Sequence, residues 1–337
     1  MDLHVVWHHQ KKWITAVSVF LVFGWAIYLT KFNQGAFGER WYPPSAISFA
    51  NDATEGELTL LTYNVAGLPQ LISAAESPRA ASMKEIGQKI NAFDIVNVQE
   101  DFHYHNELYY AGNRHTYRTR HKTSIPYGDG LNTLSKYPIL FTKRIAWKDC
   151  HGTDCLAEKG FSVARIQLAN DVMVDVYNVH ATSQDHDAAA SARRRNIKQL
   201  SAYINEHSAG QALLVMGDFN AHYAANWDNL LDFTQATAVQ DVWLSMWKNG
   251  ITPGVHENFA SPEKLALTDT CESIDKIFFR SSNHIEFTPR SYKIEKQRFF
   301  NRTGQSLSDH CAVSFTMTWK KKSNDLLLKS QLTASMH

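Results

Sequence analysis

The stretch Leu213-Leu214-Val215-Met216-Gly217-Asp218-Phe219-Asn220 decides how this chain is read. Four apolar residues and a glycine run directly into a carboxylate and, two positions on, an amide. A short apolar run bounded by Gly and Asp predicts a buried strand over Ala212–Gly217. Residues two apart on extended backbone face the same side, so Asp218 and Asn220 can orient one water or one phosphate oxygen.

The same design recurs on both sides of that stretch. Leu60-Leu61-Thr62-Tyr63-Asn64 ends in an amide, Val96-Asn97-Val98-Gln99-Glu100 in a carboxylate, and Val174-Asp175-Val176-Tyr177-Asn178-Val179-His180 in an imidazole. Ser273-Ile274-Asp275-Lys276-Ile277-Phe278 sets an acid at a strand start, and Ser308-Asp309-His310 precedes a last apolar run. Strands are expected at Leu58–Asn64, Ile95–Gln99, around Thr133–Leu134, and at Gly160–Gln167, Val172–Val179, Ala212–Gly217, Ser273–Phe279 and Cys311–Thr318. Helices are expected at Ala80–Ala92, Ala188–Glu206 and Trp227–Leu231; the second spaces Ile197, Leu200 and Ile204 helically. This pattern defines one mixed α/β domain over residues 57–319.

If the sheets bring these strand ends together, they form a cleft lined by oxygen donors and two histidines. Carboxylate and amide oxygens without cysteine suit a hard cation, Mg2+ before Zn2+, with Mn2+ as a possible substitute. Such an ion offsets charge building on a phosphoryl group, and two imidazoles can give and take protons near neutral pH. These parts together point to metal-assisted hydrolysis of a phosphate ester. Each alone has a plainer reading: a Glu after a strand is usually solvated, and Asp-His pairs favour turns.

Composition narrows the alternatives. Of 337 residues, 34 are Lys or Arg and 33 Asp or Glu, so a strongly basic nucleic-acid arm is excluded. Hydrophobic residues at 44% suffice for a core, and four cysteines are too few for a disulfide scaffold. The basic segment 1–12 leads into one uncharged apolar run within 13–30. Trp13 to Leu29 spans roughly 25 Å as a helix against a hydrocarbon core of about 30 Å. Its length, and the lack of a clear small-residue cleavage site after it, favour an uncleaved transmembrane anchor over a cleaved signal sequence. Either exports the domain, to an extracellular, periplasmic or luminal location, with Lys11 and Lys12 favouring a cytoplasmic N-terminus. Residues 31–56 read as a linker and 320–337 as a peripheral tail. Four cysteines allow three pairings; Cys150 and Cys155 are close enough to close a small loop, and the sequence leaves the choice open.

Taken as a set, Tyr63-Asn64-Val65, Val98-Gln99-Glu100, Asn178-Val179-His180, Gly217-Asp218-Phe219-Asn220, Ile274-Asp275-Lys276-Ile277 and Ser308-Asp309-His310 resemble the endonuclease/exonuclease/phosphatase superfamily with the DNase I-like fold. The resemblance implies a four-layer α/β/β/α sandwich of two mixed sheets with the site at one end. It implies Glu100 as principal Mg2+ ligand, with Asn64 and Asp309 assisting. It further implies His310 paired with Asp275 as the catalytic histidine, Asp218 and Asn220 orienting phosphate and water, and His180 acting from the other side.

Within the superfamily, three segments are similar to secreted neutral sphingomyelinases. They are Cys150-His151-Gly152-Thr153-Asp154-Cys155 with Lys159-Gly160-Phe161, the run Thr182-Ser183-Gln184-Asp185 with Arg193, and Phe299-Phe300 ahead of Ser308-Asp309-His310. That likeness implies a phospholipid substrate at a membrane surface, no obligate protein partner, Phe299 and Phe300 touching lipid, and Arg193 reaching a substrate phosphate. The plainer readings are core aromatics and a solvated helix face. An exported nuclease bound to nucleic acid, a phosphoinositide phosphatase and an inactive membrane-anchored binding module are the alternatives. Arg193, Arg194, Arg195 and Arg298 lining the cleft would favour the nuclease, because phosphate contacts dominate nucleic-acid affinity.

Overall fold

The computed structural model describes residues 51–122 and 127–322. Two six-stranded sheets carry the fold. The first runs β11 (Ile285–Ile294), β12 (Val313–Lys321), β1 (Glu55–Asn64), β2 (Ile95–Gln99), β4 (Asn132–Ser135), β3 (Tyr117–Arg118). The second runs β5 (Ile139–Ala146), β6 (Gly160–Ala169), β7 (Val172–His180), β8 (Leu213–Asp218), β10 (Asp275–Arg280), β9 (Gln240–Asp241). β1 pairs parallel with β2, and β7 with β8; the other pairings are antiparallel, so both sheets are mixed.

This pairing explains why the polar strand ends converge. A parallel pair puts both carboxyl ends at one edge, and an antiparallel neighbour begins at that same edge. His180 therefore lies in register with Asp218, and Asp218 with Asp275. In the other sheet Asn64 lies opposite Gln99, just before Glu100, and β12 starts beside Thr62, just after His310.

Buried amides lock the two sheets together near that edge. Asn97 Nδ2 donates to the carbonyls of Tyr177 (2.9 Å) and Met216 (3.3 Å) across the sandwich. Gln99 Nε2 donates to Asn178 Oδ1 at 2.7 Å, and Asn178 Nδ2 to the Val98 carbonyl at 3.0 Å. A buried amide without a partner costs about 1–3 kcal/mol, so this network disfavours sliding of one sheet over the other.

Helix α1 (Arg79–Lys89) covers the outer face of the first sheet, setting Met83 and Ile86 against Leu61, Tyr63, Val96 and Val98. Helix α3 (Asp187–His207) covers the second with Ile197, Leu200 and Ile204, the spacing expected. The short helices are α2 (His105–Tyr110), α4 (Leu230–Thr237) and α5 (Val242–Trp247).

Several expectations shift. Strands β3, β5, β9 and β11 lack the buried apolar run that marks most of the others; β11 carries Pro289 at a register irregularity, which a strand on the sheet edge tolerates. The helix expected at Trp227–Leu231 starts only at Leu230, because the Asp228 carboxylate is held by Arg193 (2.7 Å) and His222 N (3.0 Å) ahead of it. Glu55 and Gly56, expected in the linker, already pair in β1 opposite Lys320 and Trp319, and β12 continues to Lys321. Cys150 and Cys155 form a disulfide, while Cys271 and Cys311 are free. Residues 1–50, with the segment 13–30 expected as an anchor or signal sequence, and residues 323–337 of the expected tail lie outside the described residues. Among those described, no helix is long and apolar enough to cross a membrane.

Candidate active site

The cleft at the sandwich edge has a volume of about 500 Å3, and Glu100, His180, Asp218, Asn220, Asp309 and His310 all line it. Glu100 stands just after β2 with a left-handed backbone (φ 56°) that turns its side chain across the strand ends. Gly67 makes room for that turn. A Cβ there would sit 2.3 Å from the Glu100 carbonyl oxygen, which accepts the Gly67 N–H at 2.9 Å. Gly67→Ala should therefore destabilise the fold by about 1–3 kcal/mol, as overpacking against immovable backbone does. The urea midpoint measures this; an unchanged midpoint would show that the loop moves freely.

Asn64 braces the acids. Its Nδ2 donates to Glu100 Oε1 and to Asp218 Oδ2, each at 3.1 Å, while its Oδ1 accepts from Ala66 N at 3.1 Å. The sequence reading made Asn64 a metal ligand. Here its oxygen faces the backbone, so its observed work is to position two carboxylates, and ligation would require the amide to turn over.

Two imidazoles flank Asp218. His180 Nε2 lies 3.6 Å from Asp218 Oδ2 and 3.9 Å from Glu100 Oε1. Burial, reinforced by the Lys159 charge, holds the His180 pKa down at about 3, so the ring is neutral. His310 differs: its Nδ1 contacts Asp275 Oδ2 at 2.9 Å, and its Nε2 lies 3.8 Å from Asp218 Oδ2. Burial opposes its charge, yet Asp275 and Asp218 outweigh burial and raise the pKa to about 9. Burial also pushes the Asp218 carboxyl up, but His310 and His180 overcome it and hold it at about 2, ionised. The pair thus holds one neutral and one proton-bearing imidazole about one ionised acid.

Asn220, with φ 49°, donates its N–H to Asp218 Oδ1 at 3.0 Å and its Nδ2 to the Ala181 carbonyl at 3.2 Å. It shares the turn after β8 with Asp218.

Two lysines complete the floor. Lys159 pairs with Asp154 at 2.7 Å beside the disulfide turn. Lys264, which the sequence reading missed, brings Nζ to 2.6 Å from His310 Nε2. An anionic phosphate placed between them would bond to both. No spacing marks Lys264, since it lies in a short 3-10 turn far from any strand end.

The oxygen donors of this cleft fit a hard divalent ion. Burial raises the Glu100 pKa, and the negative charge of Asp309 raises it further despite Lys159. A cation between Glu100 and Asp309 would relieve that repulsion. A second donor set, Asp218, Asp275 and His310, has ligand atoms within 4.8 Å of one another.

Two expected contacts are corrected, those of Phe299 and Arg193. Phe299 is not presented to lipid: it is buried in the core, its ring centroid 4.6 Å from that of Tyr63, because Tyr63 offers an apolar face under the loop. Phe300 is half-buried, its carbonyl gripped by Lys89 Nζ at 2.7 Å. Arg193 is fully buried and spent on Asp228 (2.7 Å) and Asp185 (3.0 Å), so it ties the loop after β7 to α3 rather than reaching into the cleft.

Comparison with known proteins agrees with this architecture. The model of the Endonuclease/Exonuclease/phosphatase family matches residues 61–310, and the chain belongs to that family. A Mycobacterium tuberculosis (strain H37Rv) protein named sphingomyelinase is 36% identical over 265 residues, covering 77% of this chain and 52% of that protein. The chain thus spans about half the length of the curated relatives it matches. A Staphylococcus aureus beta toxin variant with bound magnesium ions has a similar fold, at TM-score 0.52 and 16% identity, covering 79% of this chain and 100% of that one. D. rerio TDP2 complexed with single-strand DNA product matches at TM-score 0.56 and 15% identity, covering 77% and 98%.

Proposed function

We propose that this domain is a Mg2+-dependent phosphodiesterase that cleaves a sphingomyelin-type phospholipid into ceramide and its phosphorylated head group. The observation that carries the reading is a cleft with an ionic floor and an apolar wall. Leu68, Ile72, Phe102, Tyr127, Leu156 and Ala157 line it together with Glu100, His180 and His310. A diester with one apolar and one charged substituent matches that division. The mycobacterial relatives named sphingomyelinase support it, as does the magnesium bound by beta toxin.

In this reading Glu100, with Asp309, holds Mg2+, for which Mn2+ can substitute. The ion supplies charge to offset the phosphoryl oxygens. Asp218 and Asn220 orient water for in-line attack on phosphorus. His180 donates a hydrogen bond from Nε2 to a phosphoryl oxygen, His310 moves a proton at Nε2, and Lys264 meets the phosphate charge.

The rim supports a membrane surface as partner. Leu71 is 98% exposed, Ile72 55% and Leu156 58%, three aliphatic side chains beside the cleft or the loop that lines it. They take the place of the buried Phe299 as lipid-touching groups. Burying such a side chain gains about 1.5–3 kcal/mol, so Leu71→Ser with Ile72→Ser should weaken binding to sphingomyelin vesicles by about 100-fold or more. Sedimentation with vesicles measures it, and unchanged binding refutes the rim. Anchorage by the apolar run at 13–30, with the domain exported, completes the proposal; the Cys150–Cys155 disulfide suits an oxidising compartment.

The nuclease reading has less to stand on. Arg195 pairs with Asp149 (2.7 Å), Arg298 with Glu295 (3.1 Å), and Arg194 with the Trp227 carbonyl (2.6 Å). With the buried Arg193, none lines the cleft. Purified protein assayed with Mg2+ on sphingomyelin vesicles, phosphoinositides and plasmid DNA tests the choice. Release of phosphocholine alone is expected, and DNA cleavage without it would overturn the proposal.

A further inference from the structure

We propose that Asp101, His105 and His121 form a second metal site, suited to Zn2+, which holds the Glu100 turn from outside the cleft. The three residues come from two segments: Asp101 and His105, four positions apart, from the turn after β2 and the helix start that follows it, and His121 from the loop after β3. Their ligand atoms lie within 4.8 Å of one another. None of the three lines the catalytic cleft.

The donor set differs in kind from the cleft's. Two imidazoles and one carboxylate are the borderline ligands that Zn2+ takes at about 2.0–2.2 Å, usually with a fourth position for water. The Asp101 carboxylate is divided between two tasks. Its Oδ2 accepts from Asn132 Nδ2 at 2.6 Å and from the Tyr109 hydroxyl. Its Oδ1 faces His105 Nδ1 at 2.9 Å. Metal-bound carboxylates commonly have one oxygen held in this way by outer groups. Those groups are themselves fixed: Asn132 Oδ1 accepts from Thr119 Oγ1 (3.0 Å) and Arg144 (2.8 Å). The His105 ring lies parallel to that of Tyr109, 10° between planes.

The Asp101–His105 contact sets one imidazole against the carboxylate, and a second ring stands beside them. The His121 ring centroid lies 3.7 Å from that of His105, beside the same carboxylate. A shared cation would engage both imidazoles and the carboxylate at once. Arg144 is paired with Asp129 at 2.8 Å, whereas Arg118 lies 3.8 Å over the Tyr109 ring and adds positive charge nearby. The site should therefore bind at moderate affinity.

Position gives the ion its purpose. Asp101 directly follows Glu100, and its N–H donates to the Gly130 carbonyl at 3.0 Å. Fixing Asp101 fixes the exit of the left-handed turn that aims Glu100 into the cleft.

The test is zinc retention by the full chain, dialysed against Zn2+ with a large excess of Mg2+ to occupy the oxygen-lined cleft, and read by atomic emission. About one zinc per chain is expected, retained by Glu100→Gln and lost by His105→Phe and by His121→Leu. Loss with Glu100→Gln but not with the histidine variants would place the zinc in the cleft and overturn the proposal. Should those variants fail to fold, the unaltered chain decides. Co2+ added over Mg2+ should give visible d–d bands of a nitrogen-ligated, low-coordinate ion, and Zn2+ should raise Tm by about 5 °C. Octahedral-type weak absorption and an unchanged Tm would refute the site. Neither readout depends on catalytic activity, so a failure here leaves the phosphodiesterase reading standing.

Discussion

Replacing Glu100 by Gln should lower Mg2+-supported kcat by about 10³-fold, the scale lost when one preorganised charge is removed from a phosphoryl-transfer site. The same substitution should raise the Tm of the metal-free chain. Burial and Asp309 hold the Glu100 pKa above its ordinary value, so its ionisation opposes folding at neutral pH. An amide keeps the shape and removes that cost. The stabilisation given by Mg2+ should shrink in parallel, because the variant binds the ion poorly. A binding or folding role alone for Glu100 predicts no such opposition between activity and stability. Thermal melts with and without Mg2+, alongside steady-state kinetics, measure all three effects. A Glu100→Gln chain with full activity, or one less stable than its parent without metal, would contradict the assignment.

His310→Ala should reduce kcat by about 10³-fold with KM changed only slightly, within the range typical of a lost proton-transfer group. Asp275→Asn should act differently. The carboxylates of Asp275 and Asp218 raise His310 to about 9 over the opposition of burial. Without Asp275 the imidazole loses its proton at lower pH, so the basic limb of the kcat profile should move to lower pH. The stability linkage has the same sign. A raised imidazole pKa contributes stability that is fully present below about pH 6.5 and is lost as pH rises through about 9. The parent should therefore lose stability relative to Asp275→Asn as pH increases across that window. Paired pH–rate and pH–Tm profiles check both statements; superimposable basic limbs would show that Asp275 does not set the His310 proton.

The convergence of the site was readable from sequence because it follows from strand polarity. Apolar runs ending in Asn64, Glu100, His180 and Asp218 belong to strands whose parallel pairing aligns those ends, and Asp275 and His310 open strands that start there. Periodicity and bounding residues record that much. They do not record burial within loops. Phe299 and Leu71 are both apolar loop residues, yet one is buried on Tyr63 and the other is 98% exposed. What separates them is the shape of the surface beneath, which only the folded chain supplies. Arg193 shows the same limit for charge. Its position on α3 read as solvated or substrate-facing, and only the tertiary placement of Asp228 and Asp185 draws it inside. Lys264 and the Asp101–His105–His121 group escaped notice for a related reason: Lys264 and His121 sit off the regular strands and helices, and only tertiary folding brings them to their partners.

The central claim is that water, oriented in this cleft, attacks the phosphorus of a sphingophospholipid. Hydrolysis of sphingomyelin vesicles by the purified protein in 18O-labelled water with Mg2+, followed by mass spectrometry of both products, tests it most directly. The account predicts one labelled oxygen in phosphocholine and none in ceramide. Label in ceramide, or no turnover of the lipid at all, would contradict it.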